Sequence, residues 1–192
     1  MLSTKLKNYS IILASGSPRR QQFLKDLGID YTIKLREVEE IYPSTLKGVE
    51  ITDYLAELKS SSFDDLKKNE ILITSDTIVW LENKAIGKPK DRKDAINILK
   101  SISGKKHEVM TSICLKTIDS IKIVNDITQV YFKILTQEEI EYYLDTFEPY
   151  DKAGAYGIQD WIGYIGVEKI EGSFFNVMGL PVHKLYTELL KF

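Results

Sequence analysis

The sequence predicts an α/β protein, a mixed β-sheet with helices outside it. Apolar runs of strand length alternate with amphipathic helical stretches along all 192 residues. Several neighbouring strand runs have only short turns between them, too short for the crossover that a parallel pair needs. At 43% hydrophobic residues, a chain of this length buries a real core within a single domain, 1–192, with room for two lobes.

The elements follow in order. The first strand is IILAS, residues 11–15. Ser17-Pro18 then opens a helix, because Ser caps well and Pro suits the first helical position, where its missing N–H is not needed. Phe23, Leu24 and Leu27 give that helix an apolar stripe, and Gly28 ends it. YTIKL, 31–35, reads as a second strand and leads into the acidic stretch EVEE. After a turn at Pro43, residues 50–68 read as a helix. ILITSDTIVWL, 71–81, is the strongest strand signal; ENK turns it back into AIGKP. Asp91 with Asp94 marks a helix start, Ile96, Leu99 and Ile102 form its inner face, and Gly104 stops it. HEVMTSICLKTI and IKIVNDITQVYFKI are two strands joined at Asp119-Ser120. Thr136 with Glu139 is a capping box that opens a helix to about residue 146. Residues 151–172 form a glycine-punctuated region expected to hold short strands, and Pro181 starts a closing helix. No internal repeat, low-complexity tract or linker interrupts the chain.

Composition excludes several classes. The formal net charge of −2 lacks the basic excess of a dedicated nucleic-acid binder, so no nucleic-acid partner is expected. The single cysteine, Cys114, rules out an internal disulfide and a multi-cysteine zinc site. It sits in SICL and reads as a buried structural thiol. MLSTKLKNYS has no apolar signal-peptide core, and no stretch approaches the roughly 18 apolar residues of a membrane span, so a cytoplasmic protein without a membrane partner is expected. There is no GxxxxGK[ST] and no GxGxxG, which leaves an ordinary P-loop or dinucleotide fold unsupported.

Four places carry chemistry. In ASGSPRR a strand ends on small residues and a helix begins, with Arg19 and Arg20 in its first turn. Unpaired N–H groups, a partial positive charge and two forked guanidinium groups make a phosphate cradle; the other reading is a capped surface helix with solvated arginines. Asp76 lies inside an apolar strand, where a carboxylate needs a partner, a metal or water. It could hold a divalent cation or act as a general base, or make structural hydrogen bonds instead. Lys59 and Lys88, taken singly, read as surface charges, and Glu37, Glu39 and Glu40 as a polar loop with the alternative of a second carboxylate for Mg²⁺. KAGAYGIQ, 152–159, permits close approach of a flat ligand, with Gln159 able to pair with a base edge and Tyr156 able simply to fill the core. His107 and His183 lack metal-type spacing, and Trp80 and Trp161 read as core or rim aromatics.

Taken together and in this order, ASGSPRR, LAELK, SDTIV, GKP, SGKKHEV, DKAGAYGIQ, EGS and NVMGLP resemble the Maf family of nucleoside triphosphate pyrophosphatases, over residues 11 to 185. The resemblance implies a strongly twisted mixed sheet of the Maf/ITPase type, with two lobes around a deep cleft and often a homodimer. It implies hydrolysis of a small-molecule nucleotide between the α and β phosphates, dependent on Mg²⁺ or Mn²⁺. Asp76 matches the family's proton acceptor, and Ser15, Ser17, Arg19 and Arg20 fall in its phosphate-binding opening motif. Lys59 and Lys88 match its cleft lysines, and Glu40 its acidic residue after the second strand, which with Asp76 would hold the metal. Arg19, Thr77 and Gln159 match the substrate-selecting positions, and their identities are similar to those of the branch acting on dTTP and UTP. The chain departs from the pattern at Ser75, where many relatives carry Ala, and in LAELKSS, where LAxxKA is usual. The rival readings are a pyrophosphatase for purine or non-standard nucleotides, and a non-catalytic nucleotide-sensing regulator of cell division. Asp76, Lys59 and Lys88 together speak against the regulator, since a pure binder needs no water activator.

Overall fold

The structure, a computed structural model, describes residues 2–192. Its strands are β1 (Ser10–Leu13), β2 (Tyr31–Ile33), β3 (Glu70–Leu81), β4 (Lys84–Ile86), β5 (Lys106–Lys116), β6 (Ile121–Phe132) and β7 (Val167–Glu171). Its helices are α1 (Leu2–Lys5), α2 (Pro18–Asp26), α3 (Val49–Ser61), α4 (Arg92–Ile102), α5 (Gln137–Phe147), α6 (Trp161–Gly166), α7 (Phe174–Val177) and α8 (Val182–Leu189). The strands form one sheet in the order β2-β1-β3-β5-β6-β7, with β4 paired to β3. It is mixed, as the short turns predict. β1 runs parallel to both neighbours, with Ile11 opposite Tyr31 on β2 and Ile71 on β3, whereas the β3–β4 and β6–β7 pairs are antiparallel.

The chain divides into two compact units. The first comprises Met1–Asp76, Thr111–Asp126 and Gly179–Phe192; the second comprises Thr77–Met110 and Ile127–Met178. Each has its own core. Ile12, Phe63, Leu66 and Leu72 pack together in the first. Val79, Leu99, Ile102, Val130, Phe132 and Tyr143 lie in a larger cluster in the second. β3 is buried along nearly its whole length, which explains why its sequence is a continuous apolar run rather than an alternating one.

Local chemistry sets the boundaries. α3 ends at Ser61, short of the expected residue 68. The hydroxyls of Ser60, Ser61 and Ser62 each donate to the carbonyl three residues back, at 2.8, 2.7 and 2.9 Å, and so compete with continuation of the helix. Asp91 caps α4 by accepting from the Asp94 N–H at 2.8 Å, and Thr136 with Glu139 closes a complete capping box on α5. The glycine-punctuated region differs from expectation. It holds two 3₁₀ turns, Pro149–Asp151 and Ala153–Ala155, then α6, and only one strand, β7. Trp161, Ile162 and Ile165 recur at helical spacing there, but the interleaved glycines hide the period. Two short helices, α1 and α7, carried no sequence signal strong enough to place them.

Gly163 in α6 is a packing position. A Cβ there would overlap the Ile158 carbonyl oxygen, so only a bare Cα lets the helix lie on the preceding loop. Gly163→Ala is expected to lower stability by about 1–3 kcal/mol, the usual cost of overpacking. The check is a lower urea midpoint at unchanged slope.

Cys114 is a free, buried thiol, and burial pushes its pKa up, as expected of a structural sulfur. His107 is buried and pairs through Nε2 with the Tyr156 hydroxyl at 2.8 Å; burial lowers its pKa to about 4 and keeps the ring neutral near pH 7. Among the described residues, no helix is long and apolar enough to cross a membrane.

Candidate active site

In the first unit the opening motif, α3 and β3 converge on Asp76. β1 delivers Ser15 to the mouth of α2, where the Ser15 hydroxyl lies 3.3 Å from the Ser17 N–H and 3.4 Å from Arg20 Nη1. Ser17 occupies the N-cap position of α2, and its hydroxyl makes no capping hydrogen bond. Arg20 reaches across the unit. Its Nε donates to the Gly179 carbonyl at 2.8 Å and its Nη1 to the Ser75 carbonyl at 3.0 Å. One guanidinium thereby ties α2 to β3 and to the segment before α8. Burial brings its pKa down to about 10, against the raising influence of Asp76 and Glu40, and the group still carries its charge at neutral pH. Arg19 is half-buried and close enough to Arg20 to lower that pKa further.

Asp76 is 6% exposed. The Lys59 ammonium, delivered by α3, donates to Asp76 Oδ1 at 2.6 Å and lies 3.1 Å from Glu40 Oε2. A lysine thus bridges two carboxylates, one buried and one half exposed. The other oxygen, Asp76 Oδ2, is buried without a hydrogen-bond partner, as is the hydroxyl of the preceding residue, Ser75. A buried carboxylate oxygen without a donor is costly unless water, a cation or a substrate supplies the missing partner. Arg20 and Lys59 lie by the carboxylates of Glu40 and Asp76, and Arg19 lies near Arg20, so three cations gather against two carboxylates, a balance suited to a polyanion.

The same residues fit a hard divalent cation. Among the described residues, no group of three or more His, Cys, Asp and Glu side chains is arranged to hold a metal by itself. Mg²⁺ does not require one: it is commonly held by one or two carboxylates, with phosphate oxygens and water completing its shell. The unpartnered Asp76 Oδ2 and the accessible Glu40 carboxylate offer that number.

The second unit holds the remaining candidates. Thr77 follows Asp76 on β3 and is half-buried. Lys88 is exposed, just after β4. The Gly154 N–H donates to the Gly87 carbonyl at 3.0 Å and ties the end of the β4 turn to the AGAYGIQ loop. Gln159 ends that loop. Its Nε2 donates to Asp160 Oδ1 at 3.0 Å, and its Oε1 is buried without a partner. Behind it, the Tyr143 hydroxyl accepts from the Gly157 N–H at 3.0 Å and donates to Asp160 Oδ2 at 2.9 Å. Burial pushes the Tyr143 pKa well above the usual phenol range, so it remains an O–H donor at any working pH.

A family model described as Maf-like protein matches residues 10–192. The chain belongs to the Maf family. This Maf protein is 60% identical over 190 residues to a protein of Flavobacterium johnsoniae named dTTP/UTP pyrophosphatase, covering 98% of both chains. It is 58% identical to a protein of the same name from Flavobacterium psychrophilum, covering 99% of this chain and 98% of that one. A third of that name, from Bacteroides thetaiotaomicron, is 50% identical and covers 97% of each. Among solved structures, a HAM1 protein from Coxiella burnetii shares the fold, with a TM-score of 0.53 at 15% identity over 96% of this chain and all of that one.

The sequence of this Maf chain names candidates without the groups that hold them. It names Arg20 but not the Ser75 and Gly179 carbonyls that hold it, and Gln159 but not Asp160 or Tyr143. The adjacency of a carboxylate to the amide, Gln159-Asp160, is the one signal that could have pointed to the second group; main-chain carbonyls leave none.

Proposed function

We propose that this chain is a nucleoside triphosphate pyrophosphatase that hydrolyses dTTP and UTP to the monophosphate and pyrophosphate. The observation that carries the reading is the Asp76–Lys59–Glu40 bridge, with the second Asp76 oxygen buried and lacking a hydrogen-bond partner. The names of the relatives at 50–60% identity support the same substrate class.

In this reading Asp76 Oδ2 accepts a proton from the attacking water while Lys59 holds Oδ1 and fixes the carboxylate plane. Arg19, the N-terminal dipole of α2 and Lys88 offset the charge of the triphosphate, and Arg20 holds Ser75 and α2 in place. Glu40, with the second lone pair of Asp76 Oδ2, would hold the divalent cation, Mg²⁺ or Mn²⁺, which when bound would offset charge building on the leaving pyrophosphate. Gln159 reads the base: uracil and thymine present an N3–H donor beside an O4 acceptor, and a primary amide complements that pair. Thr77 stands with it as a selecting residue.

The test is product identification over a panel of UTP, dTTP, CTP, dCTP, ATP and GTP with pyrophosphate detection. Pyrophosphate and monophosphate are expected from UTP and dTTP first. Preferred turnover of purine nucleotides would select the rival pyrophosphatase, and tight UTP binding without hydrolysis in Mg²⁺ or Mn²⁺ would select the sensor. Gln159→Ala is expected to lower kcat/KM for UTP and dTTP by about tenfold, the worth of one well-placed hydrogen bond. Unchanged values would remove Gln159 from the base contact.

A further inference from the structure

We propose that Asp160 is a positioning residue that locks the orientation of the Gln159 amide, and that this lock makes the site accept uracil and thymine and refuse cytosine. The inference rests on the reading of Gln159 as the base contact.

An amide side chain has two ends, an acceptor oxygen and a donor nitrogen, and a half-turn about its last bond exchanges them. Free to turn, Gln159 would serve uracil and cytosine alike. Uracil and thymine offer a donor at N3 and an acceptor at position 4; cytosine offers an acceptor at N3 and a donor at position 4. Discrimination therefore needs an amide that does not turn.

The loop supplies the restraint. Asp160 Oδ1 lies 3.0 Å from Gln159 Nε2. A carboxylate only accepts, so the neighbouring end must be the nitrogen, whichever way an amide is drawn. Asp160 is held in turn. Its Oδ2 accepts from the Tyr143 hydroxyl at 2.9 Å and lies 3.9 Å from the Lys152 ammonium, which leaves Oδ1 for Gln159. The Tyr143 hydroxyl is itself committed to the Gly157 N–H. Gly157 makes room for the pair: a Cβ there would lie 2.6 Å from Gln159 Nε2 and closer still to Asp160 Oδ2.

Locked in this way, Gln159 keeps Oε1 buried and without a partner among the described residues. That is a preformed acceptor awaiting a donor. The N3–H of uracil or thymine supplies one, while the second Nε2 hydrogen can meet O4. Cytosine sets N3 against Oε1 and its amino group against Nε2, acceptor on acceptor and donor on donor. Refusal by unpaired or opposed polar groups is the stronger form of selectivity.

The experiment compares Asp160→Asn with wild type and Gln159→Ala, reading kcat/KM for UTP and CTP. The introduced asparagine can still accept from Tyr143 through its amide oxygen, while its amide nitrogen donates to a turned Gln159 oxygen. The expected result is a fall of about tenfold or more in the UTP:CTP ratio, with CTP use rising. Asp160→Glu, still an acceptor only, is expected to keep the wild-type ratio within about twofold. If Gln159→Ala lowers UTP use but Asp160→Asn keeps the ratio, the lock is overturned while the base contact stands. If Gln159→Ala changes nothing, the base contact falls and this inference with it. Should Asp160→Asn not fold, side-chain amide NMR of the wild type decides, with the Gln159 pair assigned from the resonances that Gln159→Ala removes. One proton held downfield and protected supports the lock; two equivalent, rapidly exchanging protons overturn it.

Discussion

Asp76→Asn is expected to slow turnover of UTP and dTTP by about 10²–10⁴-fold, the usual contribution of a general base. The substitution preserves shape and leaves nucleotide binding largely in place. Its effect follows from the two unequal oxygens of Asp76. Lys59 donates to Oδ1 at 2.6 Å, so an asparagine must turn its own oxygen toward the lysine. Its amide nitrogen then occupies the position of Oδ2, the buried atom without a partner. A donor that cannot take a proton replaces the acceptor. Pyrophosphate release at saturating nucleotide, with calorimetric binding alongside, is the measurement; full turnover in the variant would mean that water is activated elsewhere.

Lys59→Met is expected to reduce kcat/KM for UTP by about 10²–10³-fold, the range seen when one preorganised charge-stabilising donor is removed from an active site. The lysine side chain is 19% exposed, and methionine keeps its apolar stem in place. What disappears is the ammonium between Asp76 Oδ1 and Glu40 Oε2. Two carboxylates then face the incoming triphosphate with one cation fewer among them, and Asp76 loses the donor that fixes its plane. Because the buried Asp76 also loses its donor, the unfolding temperature is expected to fall as well, so kcat/KM is read well below the variant's own unfolding temperature. A change of less than about threefold, in a variant that folds, would reduce Lys59 to a structural ion pair.

The sequence showed most of the fold because most elements carry their own local signals. Thr136 and Glu139 announce a helix start by themselves, and the length of the apolar run 71–81 announces a buried strand. Asp76 was legible for the converse reason, a charge where the pattern demands none. The end of α3 was not, because three serines donating backwards have no pattern distinct from three serines in a loop. α6 was hidden by glycines, whose place in a helix depends on the Ile158 carbonyl lying against Gly163. Arg20 and Gln159 could be named as candidates, but their orientation comes from the Ser75 and Gly179 carbonyls and from Asp160. Those partners are set by tertiary packing and leave no periodicity to read.

The reach of Arg20 has a consequence for the order in which a nascent chain becomes an enzyme. Its guanidinium meets the Gly179 carbonyl, 159 positions further along the chain. Until the ribosome has delivered that stretch, the arginine has only part of its anchorage, and the strand that bears the acid lacks one of its braces. Full bracing of the strand that carries Asp76 therefore waits on translation of a segment remote from it in the sequence.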